Sequence, residues 1–299
     1  MKKILFTLIT FSSIAAFSQD ATVQSLKTDA GKTITKDPAD TTSKVWKTGG
    51  LVSVNLSQGS LKNWAAGGDK FSLSLAGYFN VHAYYKKEKH TWDNNLDINL
   101  GYVNTTSLGT RKNDDRFDLL SKYGYALSPK LSASALFDFR SQFFDGFTYP
   151  DVNTKIFSST GLAPAYVLLS PGLDWHPLSN FSVFVSPVTS RWVIVTNKVL
   201  SNQGAYGVDT GKTTNYEIGA FASINYSTNL NSNVTYKGRL DLFSNYKHNP
   251  QNVDVYMTNL FAAKLSKVLS ATWSVDLIYD DDVRLFGPSG TAPGVQIKS

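Results

Sequence analysis

From residue 48 onward the chain alternates apolar and polar side chains over long runs, the period of strands whose two faces meet different media. Phe71, Leu73, Leu75, Phe79, Val81, Ala83 and Tyr85 share one face of a segment whose other face carries Ser72, Ser74, Asn80, His82 and Tyr84. The next segment sets Trp92, Leu96, Ile98, Leu100 and Tyr102 against Asp93, Asn95, Asp97 and Asn99. Later ones set Leu131, Ala133, Ala135, Phe137 and Phe139 against Ser132, Ser134, Asp138 and Arg140, and Val234, Tyr236, Leu240 and Leu242 against Thr235, Lys237, Arg239 and Asp241. Strands of soluble sandwiches average about five or six residues, and these runs are about twice that. A tilted strand needs ~9 to 11 residues to cross a bilayer's hydrocarbon. The pattern therefore predicts an all-β chain, an antiparallel transmembrane β-barrel.

The junctions agree. Lys86 to Lys89, Ser128 to Lys130, His176 to Asn180, Ser227 to Ser232 and Ser266 to Ser270 are short turns. Between them fall longer, polar or Gly-rich stretches: Ser57 to Asp69, Ser107 to Asp115, Asp145 to Ala163, Asn197 to Thr214, Tyr246 to Asn252 and Asp280 to Gly294. Short periplasmic turns alternating with longer outer loops are the habit of outer-membrane barrels. The segment Asn180 to Thr196 contains Pro187, which cannot donate to a ladder, and its alternation changes phase near Trp192; a bulge is expected there. The count is eleven strands and a truncated twelfth from Val295, about 12 in all. Val295 to Lys298 should lie beside Ala271 to Asp282. A tail so short is expected either to continue beyond Ser299 or to close the barrel poorly against the first strand.

The N-terminus assigns a compartment. Lys2 and Lys3, the apolar run Ile4 to Phe11 and the small-x-small site Ala16-Phe17-Ser18 read as a signal peptide over residues 1–18, removed on export. Residues 19–47, rich in Thr, Lys, Asp and Ser, form a periplasmic leader segment with too little apolar surface to offset chain entropy, leaving 48–299 as the barrel domain. A leader lying as a plug inside the barrel is the alternative.

Composition removes several chemistries. The chain has no cysteine, which excludes thiolate zinc sites, disulfides, thiol catalysis and a lipoprotein anchor. Its formal charge of +6 falls to +4 without Lys2 and Lys3 and is spread thinly, with no basic run of the kind that tracks nucleic acid. The expected partners are instead membrane lipids and lipopolysaccharide, with periplasmic chaperones and the barrel-assembly machinery in biogenesis. No cofactor is expected.

Several side chains carry candidate chemistry. Asn63, Trp64, Gly67 and Gly68 sit at the first long junction, where the glycines permit positive φ and the indole suits a membrane interface; the stretch is either a ligand loop or a rim turn with an aromatic anchor. Asp280, Asp281 and Asp282 offer hard oxygen ligands but lack the 12-residue calcium-loop pattern, so an acidic outer loop is expected. Arg111, Lys112, Asp114, Asp115 and Arg116 read as a second solvated loop. For hydrolysis at an outer rim, His248 near Ser244 and Asp241 is the candidate base, since His82, His90 and His176 fall at short turns; no G-x-S-x-G or H-E-x-x-H context accompanies it, and the expectation is no enzyme. Asp138, Arg140, Lys237, Arg239 and Asp241 are the candidate lumen charges. They either cross-pair into a packed interior or line a narrow wet channel.

Short stretches in a fixed order also carry a family likeness: Trp46-Lys47-Thr48-Gly49-Gly50, Asn63-Trp64-Ala65-Ala66-Gly67-Gly68, Arg111-Lys112-Asn113-Asp114-Asp115, Ala163-Pro164-Ala165-Tyr166, Asp241-Leu242-Phe243-Ser244-Asn245-Tyr246 and Tyr279-Asp280-Asp281-Asp282. Over nearly the whole mature chain the sequence resembles a Bacteroidota outer-membrane barrel family labelled only as a domain of unknown function. The resemblance implies an envelope barrel and supplies no activity or catalytic residue. The functional expectation is a narrow transport pore, with an accessory subunit of an envelope complex as the alternative and a lipid hydrolase as the third class.

Overall fold

The computed structural model describes residues 44–63, 68–151, 153–247, 249–266, 269–286 and 292–298. The stretch read as a signal peptide and all but the end of that read as a leader lie outside them. The chain forms β1 (Trp46–Ser60), β2 (Phe71–Lys87), β3 (His90–Thr105), β4 (Gly109–Ser128), β5 (Leu131–Ser141), β6 (Gly146–Asp151), β7 (Thr154–Ser159), β8 (Ala165–Leu178), β9 (Phe181–Ile194), β10 (Thr214–Asn229), β11 (Val234–Asn245), β12 (Asp254–Lys264), β13 (Ser270–Phe286) and β14 (Ala292–Lys298). Twelve of these make one antiparallel sheet in the order β1-β2-β3-β4-β5-β8-β9-β10-β11-β12-β13-β14, while β6 and β7 form a separate hairpin. Each neighbour in the sheet follows the last in sequence apart from that hairpin, the up-and-down connectivity of a membrane barrel.

Alternation decides which face points where. On β2, Phe71, Leu75, Phe79 and Val81 are exposed, Leu75 at 51%, while the even-numbered positions between them are half-buried. A soluble protein would bury such a face; here its exposure is the lipid contact. The opposite face turns inward, and between β4 and β11 it is closely packed. Leu168, Phe184, Phe221 and Phe243 form a buried cluster with Leu136 against it, surrounded by buried Asp138, Ser170, Ser186, Thr189, Ser223 and Asp241.

The bulge expected at Pro187 is present, and β9 is one strand. Gly219 pairs with Thr189 and Phe221 with Ser186, so Pro187 and Val188 together oppose the single residue Ala220. Burial shifts phase there, from Phe184 and Ser186 to Thr189, Arg191 and Val193. One extra residue thus keeps two differently phased halves of β9 facing the same interior.

β14 pairs with β13, Lys298 opposite Asp276 and Val295 opposite Tyr279, where the alternation placed it. Among the described residues no ladder joins β14 to β1, and nearly every position of β1 is exposed.

Three features differ from the sequence reading. The stretch Arg111 to Arg116 belongs to β4 and is not a solvated loop, because the β3–β4 connection is only Thr106, Ser107 and Leu108. β13 extends through Asp280, Asp281 and Asp282 before the chain turns. The junction after β9, read as a long polar or Gly-rich stretch of an all-β chain, contains α1 (Lys198–Asn202) and a 3-10 turn, Ala205–Gly207. Asn197 caps α1, its side-chain oxygen accepting from the amides of Val199 and Leu200 at 2.9 and 3.2 Å.

Candidate functional site: two walls of the lumen

The candidate lumen charges separate into two groups. Asp138 and Arg140 stand on β5, Lys237, Arg239 and Asp241 on β11, with β8, β9 and β10 between. Asp138 is 0% exposed, and the Arg140 guanidinium lies 5.0 Å from the Tyr166 ring centroid. On β11, Arg239 Nε donates to Asp241 at 2.7 Å and its Nη2 to Ser223 at 3.2 Å, while Lys237 is exposed. Sequence reasoning found these five residues but not the partners that surround them. Arg191, 2% exposed, bridges to Glu217 at 2.7 Å, and its guanidinium lies 5.9 Å from the Tyr166 ring centroid. Lys122 bridges to Asp174, which also meets His176 at 2.9 Å, and its ammonium stands 5.4 Å from the Phe184 ring. On this wall cations are held by carboxylates or aromatic faces at close range, the arrangement that makes buried charge tolerable.

The loop end of the same wall is capped. Leu200 of α1 and Val208 beyond it pack on Val193, Val195 and Ala163, with Tyr166, Ala205, Tyr206 and Phe157 around them. Val193 and Tyr166 point into the lumen, so the β9–β10 loop folds inward over the barrel mouth. Tyr206 donates its hydroxyl to the Ser158 carbonyl on β7, tying that loop to the hairpin. Burial, with the Tyr166 phenol nearby, pushes the Tyr206 hydroxyl up to about 12. Ala163 and Ala165 are both fully buried, which accounts for the small residues in the Ala163 to Tyr166 stretch.

The wall formed by β1, β2 and β3 differs in kind. On β2 and β3 the inward side chains are half-exposed, and uncharged donors converge on one carboxylate. Tyr78 donates to Asp97 at 2.5 Å, Asn80 donates to Asp97 at 3.0 Å and to Asn95 at 2.9 Å, and Asn95 donates to Asp97. Beside them the His82 and Tyr84 rings stack at 4.7 Å. A Cβ on Gly50 would stand 2.6 Å from the Asn80 backbone carbonyl, so the Trp46 to Gly50 stretch needs glycine there, while at Gly49 the His82 imidazole lies against β1. The interior is thus packed between β4 and β11, whereas β2 and β3 keep half-exposed polar side chains.

Around the outside, rings gather into two levels. At the turn end Trp175, Phe181, Tyr226, Tyr236, Phe261 and Trp273 run as a continuous series with centroids 5.0–6.5 Å apart, and Trp46 meets Tyr85 and Trp92. Toward the loop end stand Tyr102, the Phe117–Phe143 pair and the Trp192–Tyr216 pair.

Elsewhere the candidates thin out. Trp64 and Gly67 lie outside the described residues; Asn63 and Gly68 on either side have φ +55° and +115°, and Gly68 thus takes the positive φ that the sequence reading allowed. His248 also lies outside, and Asp241 and Ser244 are engaged separately, Asp241 with Arg239 and Ser244 donating to the Pro250 carbonyl at 2.6 Å. Among the described residues no group of three His, Asp or Glu side chains is arranged to hold a metal.

Comparison with known proteins follows this geometry. Residues 56–147 match a family described as Protein of unknown function (DUF3078). No curated protein matches the sequence. Among solved structures, the translocator domain of the autotransporter NalP from Neisseria meningitidis aligns at a TM-score of 0.42 and 9% identity, covering 87% of this chain and 89% of that one. An outer membrane channel from Pseudomonas putida F1 aligns at 0.41 and 11% identity, covering 88% and 96%.

Proposed function

We propose that this chain is a non-enzymatic outer-membrane barrel of the Bacteroidota envelope, exported by a cleaved signal peptide, that forms a narrow solute pore with an off-axis passage along β1, β2 and β3. The observation that carries the membrane part is the spacing of the two aromatic levels. Tyr102 follows Trp92 by ten positions on β3, and Tyr226 follows Tyr216 by ten on β10. Ten residues at ~3.3 Å each, tilted by about 40°, rise about 25 Å, the height of an outer-membrane apolar band between its girdles. With the loop end outward, lipopolysaccharide meets the upper girdle, and periplasmic chaperones and the assembly machinery act on the chain before insertion.

The passage follows from the contrast between walls. Packed apolar side chains and the inward β9–β10 loop occupy the β5–β10 side, whereas the β1–β3 side keeps polar, half-exposed groups. Planar-bilayer recording of the purified protein tests the proposal: small, steady conductance steps support it. Membrane insertion with zero conductance favours the second reading, an accessory subunit of an envelope complex, to which the packed wall and cap also point. Recovery in the soluble periplasmic fraction would overturn both.

A further inference from the structure

We propose that the β2–β3 wall is a binding track for neutral, polyhydroxylated solutes, of which a short oligosaccharide is the type; this rests on the pore reading above. Sugar hydroxyls each donate and accept, so they are best met by groups that do the same without a net charge to desolvate. Tyr78, Asn80 and Asn95 supply a phenol and two carboxamides at consecutive inward positions across paired strands, Asn80 standing opposite Asp97 and His82 opposite Asn95 in the register. They converge on one carboxylate, Asp97, which is an acceptor already oriented by three neutral donors. Two inward positions along β2, the stacked His82 and Tyr84 rings supply the flat apolar surface against which a sugar's C–H face lies. The Arg116 guanidinium nearest this network is engaged by the amide oxygen of Asn99 in the orientation that satisfies both groups.

Charged solutes find less. The cations Lys122, Arg191 and Arg239 stand on the packed wall, each bridged to a carboxylate. An entering anion would have to break such a pair or draw Arg116 away from Asn99, and an entering cation would have to displace the neutral donors of Asp97. A neutral hydroxyl exchanges one uncharged donor or acceptor for another on these side chains, at less cost than separating an ion pair.

The test uses the full-length protein in a planar bilayer with a linear gluco-oligosaccharide as the probe. The expected result is saturable, sugar-dependent block of the current, with no comparable block by a charged peptide of similar size. In the Asn80→Ala, Asn95→Ala double variant the block should weaken about tenfold, the loss of two neutral hydrogen-bonding groups, while Ser170→Ala on the packed wall leaves it unchanged. Because the chain has no native cysteine, Asn95→Cys gives an independent readout: the oligosaccharide should slow its modification by a water-soluble thiol reagent. Conductance without sugar block or protection would overturn the inference and leave the pore standing. Equal block by charged and neutral probes would also overturn it. Absence of conductance would overturn both.

Discussion

Lys112 and Asp115 form a 2.7 Å ion pair near the loop end of β4 in which the carboxylate is 1% exposed. The same carboxylate accepts the amide protons of Phe143 and Phe144 at 2.8–3.3 Å, and Lys112 also donates to the Phe144 carbonyl at 2.5 Å. Two residues that read as part of a solvated loop thus clamp the start of the long β5–β8 connection. Asp115→Ala should cost about 3 kcal/mol by stranding a buried ammonium and two amides. Urea titration of the folded protein in detergent measures this, and a change under 1 kcal/mol, the scale of an exposed ion pair, would contradict the clamp.

Lipid and lumen faces of β2 should respond differently to charge. Leu75→Arg places a guanidinium on the exposed apolar face and should cost about 2 to 4 kcal/mol near the midplane, with Ser74→Arg on the inward face milder. Folding yield into lipid vesicles distinguishes them; equal yields for the two variants would reverse the assignment of faces.

The bulge in β9 sets the phase of everything beyond it. Deleting Val188 would restore a regular ladder but rotate either Phe184 and Ser186 or Thr189, Arg191 and Val193 out to lipid, separating Arg191 from Glu217 if the outer half turns. Loss of the heat-modifiable folded band on gels is the expected outcome. Tyr246→Phe is the mild companion: its hydroxyl donates to the Pro187 carbonyl at 2.6 Å, so removal should cost about 1 kcal/mol and leave the band intact.

Tyr206 provides a pH signature for the cap. Its hydroxyl ionises near 12 when folded against about 10 when free, so the neutral form is the one the cap favours. A raised folded value means that this contribution is fully present below about pH 10 and is lost as pH rises from 10 through 12. Spectrophotometric titration should show a late-ionising tyrosine that disappears in Tyr206→Phe. Loss of an ordinary tyrosine ionising near 10, with the late component unchanged, would place Tyr206 in solvent.

The strands and their facing were legible in the sequence because the cause is local. Each residue of β2 or β3 meets either hydrocarbon or lumen according to its own parity, so Leu75 and Asp97 report their surroundings without reference to the rest of the chain. The bulge at Pro187 was legible for the same reason: a missing amide and a shift of phase are properties of one segment. Short turns such as Glu88-Lys89 and the pairing of Val295 beside Tyr279 followed from those strands in order. What only the tertiary structure decided depends on positions far apart in sequence. Lys122 meets Asp174 across 52 residues and Arg191 meets Glu217 across 26, pairings fixed by the register of curved strands and not by any spacing along the chain. The inward fold of α1 depends on Ala163 and Val193 offering an apolar floor, and the burial of Asp115 on the Phe143 and Phe144 amides arriving from another loop. Alternation specifies which medium a side chain faces, whereas the partner it finds there is set by the register and curvature of the sheet, which is why the candidate charges were identifiable and the partners packed around them were not.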